Sequence, residues 1–415
     1  MSSPARLNLF EGYGVELEYM IVDRQTLNVQ PICDRLIHDV VQRYDAEIEM
    51  GELCWSNELP LHVVELKTNG PVKSLDGLDA LFQRHVADVN ARLEPHGAQL
   101  MPTATHPWMD PFAEMKLWPH EYSPVYEAFN RIFDCRGHGW ANLQSVHLNL
   151  SFNGDAQFAR LHAAIRLILP ILPALAASSP IMDGRTTAHR DHRLEVYRHN
   201  ARRVPQVSGR VIPEPLFTAA AYDEGIFQPL YRAIAPYDPD QILQEEWLNA
   251  RGAIARFDRG AIEIRVLDIQ ECPRADLAIL RAVCAVIGAL IDQRWIGLEE
   301  QMSWPIDPLE KILLETIAHG ESAVIADGAY RRALGVDGKR PMTAGELWAA
   351  LLEDVLFTAP GCDRSLAEAL RIILQRGTLA TRIVNAIGRD PERSAIEGVY
   401  RQMCDCLRTG QMFQS

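Results

Sequence analysis

Polar and apolar side chains alternate in four separate stretches of the chain, Gly14–Val22, His62–Thr68, Ser145–Phe152 and Ala261–Asp268. A period of two marks a β-strand with unlike faces. In the first stretch Glu16 and Glu18 share one face, and Val15, Leu17, Tyr19 and Ile21 the other. Glu65 and Lys67 share a face of the second. In the third, Ser145, His147, Asn149 and Ser151 oppose Val146, Leu148, Leu150 and Phe152. The fourth sets Glu263 and Arg265 against Ile262, Ile264 and Val266.

The last third changes period and reads as helix. Thr343-Ala-Gly-Glu346 is a capping-box pattern opening a helix through Leu351. Ser365 to Ile387 is amphipathic and ends at Gly388. Asp390-Pro391 opens a final helix through Tyr400 and Leu407. Trp304-Pro305 to Asp307-Pro308 looks like a junction. The pattern therefore predicts an α+β catalytic region over residues 1–300 and a helical region over 301–415 packed on it as one structural unit. The apolar run Leu167–Ile181, interrupted by Pro170 and Pro173, is too short to span a bilayer and reads as a buried core helix.

The polar faces carry unusual chemistry. Solvated sheet faces draw on Lys, Thr, Gln and Ser, and one wet face alone needs no function. Here the faces hold Glu16, Glu18, Glu65, His147 and Glu263. If the four strands are neighbours, these carboxylates crowd, and two unit charges about 4 Å apart repel by roughly 4 kcal/mol at an effective dielectric near 20. Such a cluster calls for cations, and oxygen donors with one imidazole suit Mg²⁺ or Mn²⁺ better than zinc.

Two further segments bear on the site. The run Arg185, His189, Arg190, His192, Arg193, Arg198, His199, Arg202 and Arg203 is either a solvated helix face or a clamp for phosphate and carboxylate groups. Its spacing predicts a loop through His189 and a helix from about Asp191. Asp258-Arg-Gly260 reads as a hairpin turn before the Glu263 strand. A two-residue turn would put Arg256 opposite Glu263. A three-residue turn would put Ala255 there and bring Arg251 into phase. Neither a Walker A motif nor GxGxxG is present, so a P-loop or Rossmann site is unsupported.

Composition narrows the classes. The 415 residues are 47% hydrophobic and carry a net charge of −14, which disfavours nucleic acid and anionic membranes as partners. The N-terminus lacks an apolar signal region, and the eight cysteines are scattered without a CxxC. Both point to a cytoplasmic protein with reduced, mostly buried thiols.

Together these residues resemble the glutamate–cysteine ligase type 2 family, carboxylate–amine ligases with a glutamine-synthetase-like fold. The resemblance rests on Gly14-x-Glu16-x-Glu18, the Glu65 strand, the His147 strand ending in Asn149 and Ser151, Ala177-Ser-Ser-Pro-Ile-Met-Asp-Gly184, and the strand with Glu263, Arg265 and Asp268. Gln375-Arg-Gly-Thr-Leu-Ala380 matches more loosely. The resemblance implies a curved antiparallel sheet whose concave polar face binds Mg²⁺ and ATP, with helices behind. Glu16, Glu18, Glu65, His147 and Glu263 would be metal ligands, with Glu58 a further one. Arg265 and Glu65 would act in catalysis. Asn149, Ser151 and Arg251 or Arg256 would contact the nucleotide. The implied reaction joins glutamate, through an acyl phosphate, to an amine such as cysteine, and is compatible with a homo-oligomer. Alternatives are another acid and amine pair, or a metal-dependent amide hydrolase. Two departures bear on the amine. Ser145 stands where many members carry the first of two histidines. Gln293-Arg-Trp-Ile-Gly297 replaces a segment often rich in tryptophan and arginine.

Overall fold

The structure is a computed structural model that describes residues 6–338, 340–359, 363–388 and 390–414. One antiparallel sheet organises it, built from β1 (Tyr13–Asp23), β2 (Glu47–Met50), β3 (Leu53–Asn57), β4 (Val63–Thr68), β5 (Ala98–Met101) and β6 (Ser145–Ser151). A small ribbon, β7 (Ile181–Met182) and β8 (Arg185–Thr186), stands apart from it, and β9 (Ala253–Arg256) and β10 (Ala261–Asp268) complete the sheet. The order is β2-β3-β4-β1-β6-β10-β9, with β5 on β1. The four alternating stretches thus become β4, β1, β6 and β10, consecutive neighbours. β1 is the spine. One edge pairs with β4, and the other pairs with β6 over Tyr13–Leu17 and with β5 over Met20–Asp23.

The two faces segregate as the alternation requires. Val15, Leu17, Tyr19, Ile21, Val64, Leu66, Leu148, Leu150, Ile262 and Ile264 are buried in the main core with the helices Leu78–Leu93, Gly154–Ile168 and Pro273–Ile291. Each such aliphatic side chain contributes roughly 1.5–3 kcal/mol by leaving water. The other face changes character along β1. Glu16 and Glu18 are followed in phase by Met20 and Val22, which pack with Leu379, Ile383, Ile396, Tyr400 and Met403 of the C-terminal helices. The tail therefore covers half of the polar-side face and leaves the acidic half open.

The tail differs in detail from its periodicity. Both capping-box bonds form at Thr343 and Glu346, and the helix runs Ala344–Leu352. The amphipathic stretch Ser365–Ile387 is two helices, Arg364–Arg376 and Leu379–Ile387. Gly377, at φ 89°, leaves the helical region, and the Thr378 side chain caps the second helix by accepting from the Thr381 N–H. The break redirects the stripe: Leu366, Leu370 and Ile373 of the first helix join the main core, whereas Leu379, Ile383 and Ile387 of the second join the cluster around Met20 and Val22. Leu167–Ile181 is also broken. The helix stops at Ile168, a 3₁₀ turn and the short helix Pro173–Ala176 follow, since Pro170 and Pro173 offer no N–H to continue it. The stretch is buried, as expected.

A smaller cluster forms away from the main core. Ala128 and Ile132 from the helix Ser123–Phe133 pack with Val204, Val207, Leu230, Ile234, Leu243 and Leu248. Five of the seven described cysteines are buried and none is disulfide-bonded; Cys362, like the first five residues of the N-terminus, lies outside the described residues. Among the described residues no helix is long and apolar enough to cross a membrane.

Candidate active site

A cavity of about 1000 Å³ lies over the acidic half of the sheet. Its floor carries Glu16 and Glu18 from β1, Glu65 and Lys67 from β4, His147 from β6, and Glu263 and Arg265 from β10. The register explains the gathering. Glu18 lies opposite Glu65, Glu16 opposite His147, and Glu263 opposite Asn149.

Each carboxylate is held. His147 Nδ1 lies 2.8 Å from Glu16, and the Asn149 amide donates to Glu16 at 2.9 Å. Glu18 accepts from the Ser145 N–H at 2.7 Å and from its hydroxyl at 3.1 Å. Ser145 Oγ also lies 2.9 Å from His147 Nε2, so the departure at this position supplies a hydroxyl that ties the imidazole to Glu18. Glu65 accepts from the Ser56 hydroxyl at 2.6 Å and pairs with Lys67 at 3.0 Å. Arg265 pairs with Glu263.

The crowding appears in the acidities. Burial, with Glu18 and Glu65 alongside, pushes the Glu58 carboxyl well above the usual range. Burial also raises Glu65, to about 7, with Glu16 and Glu18 adding to the effect and Lys67 opposing it. Glu16 goes the other way: burial resists its charge, but the His147 hydrogen bond and the charges of His147 and Lys67 hold it below the usual range. For His147, burial alone would depress the imidazole, yet Glu16, Glu18 and Glu263 lift it to about 9. Negative charge thus exceeds what the floor's own cations neutralise.

Two sets of ligand atoms lie within 4.8 Å of one another: Glu16, Glu65 and His147, and Glu18, Glu58 and Glu65. Glu65 belongs to both. Of the expected ligands, only Glu263 stands outside these sets, because its carboxylate is turned to Arg265, with one oxygen 3.8 Å from His147 Nδ1.

Several expected contacts fall elsewhere. The β9–β10 connection has four residues, so Arg256 lies opposite Ala261 and Ile254 opposite Glu263. Four keeps the parity of two, and Arg256 therefore lines the cavity, paired with Asp258. Arg251 does not. It grips Glu214 through two bonds of 2.5 and 2.7 Å, with Asn249 and the Gln206 carbonyl also accepting. Ser151 is committed to the backbone, donating to the Asn8 carbonyl and accepting from the Gly12 N–H. Asn149 steadies Glu16 and is not a wall of the cavity.

The basic run does not converge on the cavity. Its helix spans His192–Tyr197, with Asp191 as the cap. Arg193 is buried and pairs with Asp268 at 2.5 Å, Arg198 pairs with Glu195, and Arg203 reaches the Ile132 carbonyl. Of the run, only Arg193 lines the cavity.

The Arg193–Asp268 pair depends on a feature that alternation hides. β10 slips by one residue against β6 between Ile264 and Leu267, a β-bulge that flips the facing of every later residue in the strand. Asp268, which strict alternation puts with Ile262 and Ile264, lies opposite Ser145 instead. There it accepts from Ser178 N–H, Ser179 Oγ and Arg193. Also unforeseen is an aromatic rim. Tyr126, Phe129, Trp140, Tyr197 and Trp247 line the cavity from segments far apart in sequence.

Residues 13–402 match the Glutamate-cysteine ligase family 2 (GCS2). The chain belongs to this family. A protein of Archaeoglobus fulgidus, described only as uncharacterized, is 34% identical over 283 residues, 68% of this chain and 75% of its own. A Rubrobacter xylanophilus protein provisionally named glutamate–cysteine ligase 2-3 is 26% identical over 404 residues, 95% of each chain. Among solved structures, the glutamate–cysteine ligase of Francisella tularensis in complex with AMP superimposes with a TM-score of 0.63 at 13% identity, covering 98% of this chain and 90% of that one. Membership places the family-2 chain among carboxylate–amine ligases, enzymes that form C–N bonds, and the superposition shows a shared fold.

Proposed function

We propose that this family-2 ligase joins the side-chain carboxylate of glutamate to an amine, using ATP and Mg²⁺, with Mn²⁺ as an alternative ion. The observation that carries this reading is Glu65, shared by two oxygen-rich ligand sets on the cavity floor. Carboxylate oxygens with a single imidazole fit a hard divalent cation, and the raised pKa values of Glu58 and Glu65 mark a surplus of negative charge that such ions would relieve. Glu16, Glu18, Glu58, Glu65 and His147 would hold them. Bound there, Mg²⁺ would screen the polyphosphate; the γ-carboxylate would take the γ-phosphoryl group of ATP with release of ADP, and the amine would then displace phosphate from the acyl phosphate to form the amide.

The chain's own groups supply position and charge. Ser145 and Asn149 hold the carboxylates of Glu18 and Glu16 by hydrogen bonds, so these groups are oriented before any ligand arrives. Arg265 stands on the floor beside Glu263, and its planar guanidinium matches phosphoryl oxygens. Arg256, which lines the cavity beside Asp258, would contact the outer phosphates. The AMP complex of the Francisella relative supports use of an adenine nucleotide. ATP, Mg²⁺ and glutamate meet in the cytoplasm, where the reaction is expected. ADP release with ATP, Mg²⁺, glutamate and a panel of amines tests the reading. Failure of glutamate to support ADP release with any amine defeats it.

A further inference from the structure

Two histidines of the basic run, His189 and His192, stand outside the cavity of the floor. Their Nδ1 atoms lie 3.4 Å apart, and their ring planes are inclined by 27° with centroids 5.6 Å apart. Both side chains are half-buried. The separation is long for a bond through an N–H donor, which is about 2.7–3.2 Å. It matches the spacing of two nitrogens on one tetrahedral zinc ion, about 3.3–3.4 Å for Zn–N bonds of about 2.0–2.1 Å.

The backbone holds the pair in place. Thr187 Oγ1 donates to the His189 carbonyl at 2.8 Å and accepts from the His189 N–H at 3.3 Å. The N–H groups of Arg190 and Asp191 donate to the Ala318 and Ile317 carbonyls, and that of His192 to the Ser179 carbonyl. The two rings are therefore carried on anchored backbone before any ion arrives. Burial, with the charge of His189 adding to it, lowers the pKa of His192 to about 4. At neutral pH its imidazole is uncharged, the form that binds metals. The surrounding charge also admits a cation. Among the arginines close in sequence, Arg193 pairs with Asp268 and Arg198 with Glu195, Arg185 is exposed, and the stem of Arg190 lies against Gly320. The charge of Asp183 acts on His192 in the direction that favours a cation. Its carboxylate lies 3.0 Å from His138 Nε2. The Asn142 amide donates to His138 Nδ1 at 3.1 Å, so Nε2 carries the proton that steadies Asp183.

We propose that His189 and His192 form a second metal site, separate from the acidic floor, that takes a divalent transition ion such as Zn²⁺. Each histidine supplies Nδ1, water completes the shell, and Asp183 lends negative charge nearby. Imidazole nitrogen suits Zn²⁺, Cu²⁺ and Ni²⁺, whereas Mg²⁺ is held by oxygen. The two sites thus divide ions by donor type: the ligand sets of the floor are carboxylates with one imidazole, His147, and the pair offers two imidazoles. An ion here would tie down the segment that leads into Arg193, the one member of the basic run on the cavity wall. The plain alternative is a weak hydrogen bond between two rings with no ion. The assignment does not depend on the ligase reading.

Calorimetry with Zn²⁺, in buffer holding Mg²⁺ in large excess, is expected to show a zinc site in the unaltered protein. His189→Gln and His192→Gln should each weaken it by at least about tenfold, with thermal unfolding confirming that both variants fold. Glu65→Gln alters the floor alone and should leave the zinc affinity within about twofold. Cu²⁺ as a probe gives a signal that the floor cannot imitate. Electron paramagnetic resonance should show coupling to two nitrogen ligands in the unaltered protein and to one in His192→Gln. That measurement decides the question in the unaltered protein even where a variant fails to fold. A zinc site lost in Glu65→Gln and kept in His192→Gln overturns the assignment. So does zinc affinity unchanged in both histidine variants, no zinc binding at all, or a copper signal with fewer than two nitrogens in the unaltered protein.

Discussion

On the floor of the cavity, Glu16, Glu18, Glu65, His147 and Glu263 stand on four adjacent strands whose backbone ladders fix their spacing, and whose reverse faces are locked into the main core. At the rim, Phe129 and Trp247 pack against a smaller cluster, Trp140 lies against Phe129, and Tyr126 packs against the main core. The floor is dense with charge and rigidly indexed. The rim is apolar, half-exposed and joined to the floor by few bonds, Tyr126 to Asn57 among them. Chemistry common to a reaction class needs fixed charge, which a sheet provides. Selection among substrates needs only a shaped wall, which inserted segments can vary without disturbing the ladder.

The largest effect should come from the floor. Glu65→Gln removes the ligand shared by both sets and is expected to lower turnover by roughly a hundredfold or more. Because it also removes a repelling charge, the metal-free variant should unfold at the same or a higher temperature. Turnover assays and thermal unfolding together check this, and near-normal turnover would put the chemistry outside the floor.

Removal of divalent cation is the next test. The floor's excess of carboxylate should repel ATP, so EDTA is expected to weaken nucleotide binding by at least about tenfold in calorimetry. Unchanged affinity would move the nucleotide away from the acidic strands.

Arg251→Ala probes a residue that belongs to neither region. Losing it leaves Glu214 and Asn249 without their partner, at a cost of about 2–3 kcal/mol in stability. The KM for ATP should stay within about twofold. Denaturant melts and steady-state kinetics measure the two, and a large rise in that KM would return Arg251 to the site.

Acid should stress the sheet and its surroundings. His62, His106 and His162 are buried, and burial lowers their pKa values to about 4, 3 and 3. Unfolded, they take protons below about pH 6.5, and folded they do not. The unfolded state thus binds more protons between pH 6.5 and 4, and stability falls with falling pH at up to about 1.4 kcal/mol per pH unit for each histidine. Denaturant melts at pH 7 and pH 5 check the direction.

The smallest effect belongs to the rim. Tyr126→Phe keeps the ring and deletes the bond to Asn57, which should cost about 1 kcal/mol and change turnover less than about threefold. A loss approaching that of Glu65→Gln would make the hydroxyl part of the chemistry and dissolve the contrast between the two regions.

Alternation alone made the floor legible. Glu16, Glu18, Glu65, His147 and Glu263 could be assigned to shared faces because a strand repeats every two residues whatever surrounds it. The capping box at Thr343 was legible for a like reason, since its bonds are local. Local pattern could not say that β4, β1, β6 and β10 are neighbours, which the long-range pairing decides. Nor could it choose the four-residue connection that brings Arg256 to the cavity and leaves Arg251 with Glu214, or show the bulge that turns Asp268 toward Arg193. One residue more or less in a loop or strand reverses every facing after it, and nothing in the alternation records the slip. The rim was least visible. Its rings are separated by up to more than a hundred positions, and aromatic side chains at helical spacing read as ordinary core until the chain has folded and left one side of them uncovered. The sequence by itself determined which residues can bind charge, because that is a property of side chains and period. Tertiary structure decided which of them meet, because only packing of distant segments sets register, neighbours and exposure.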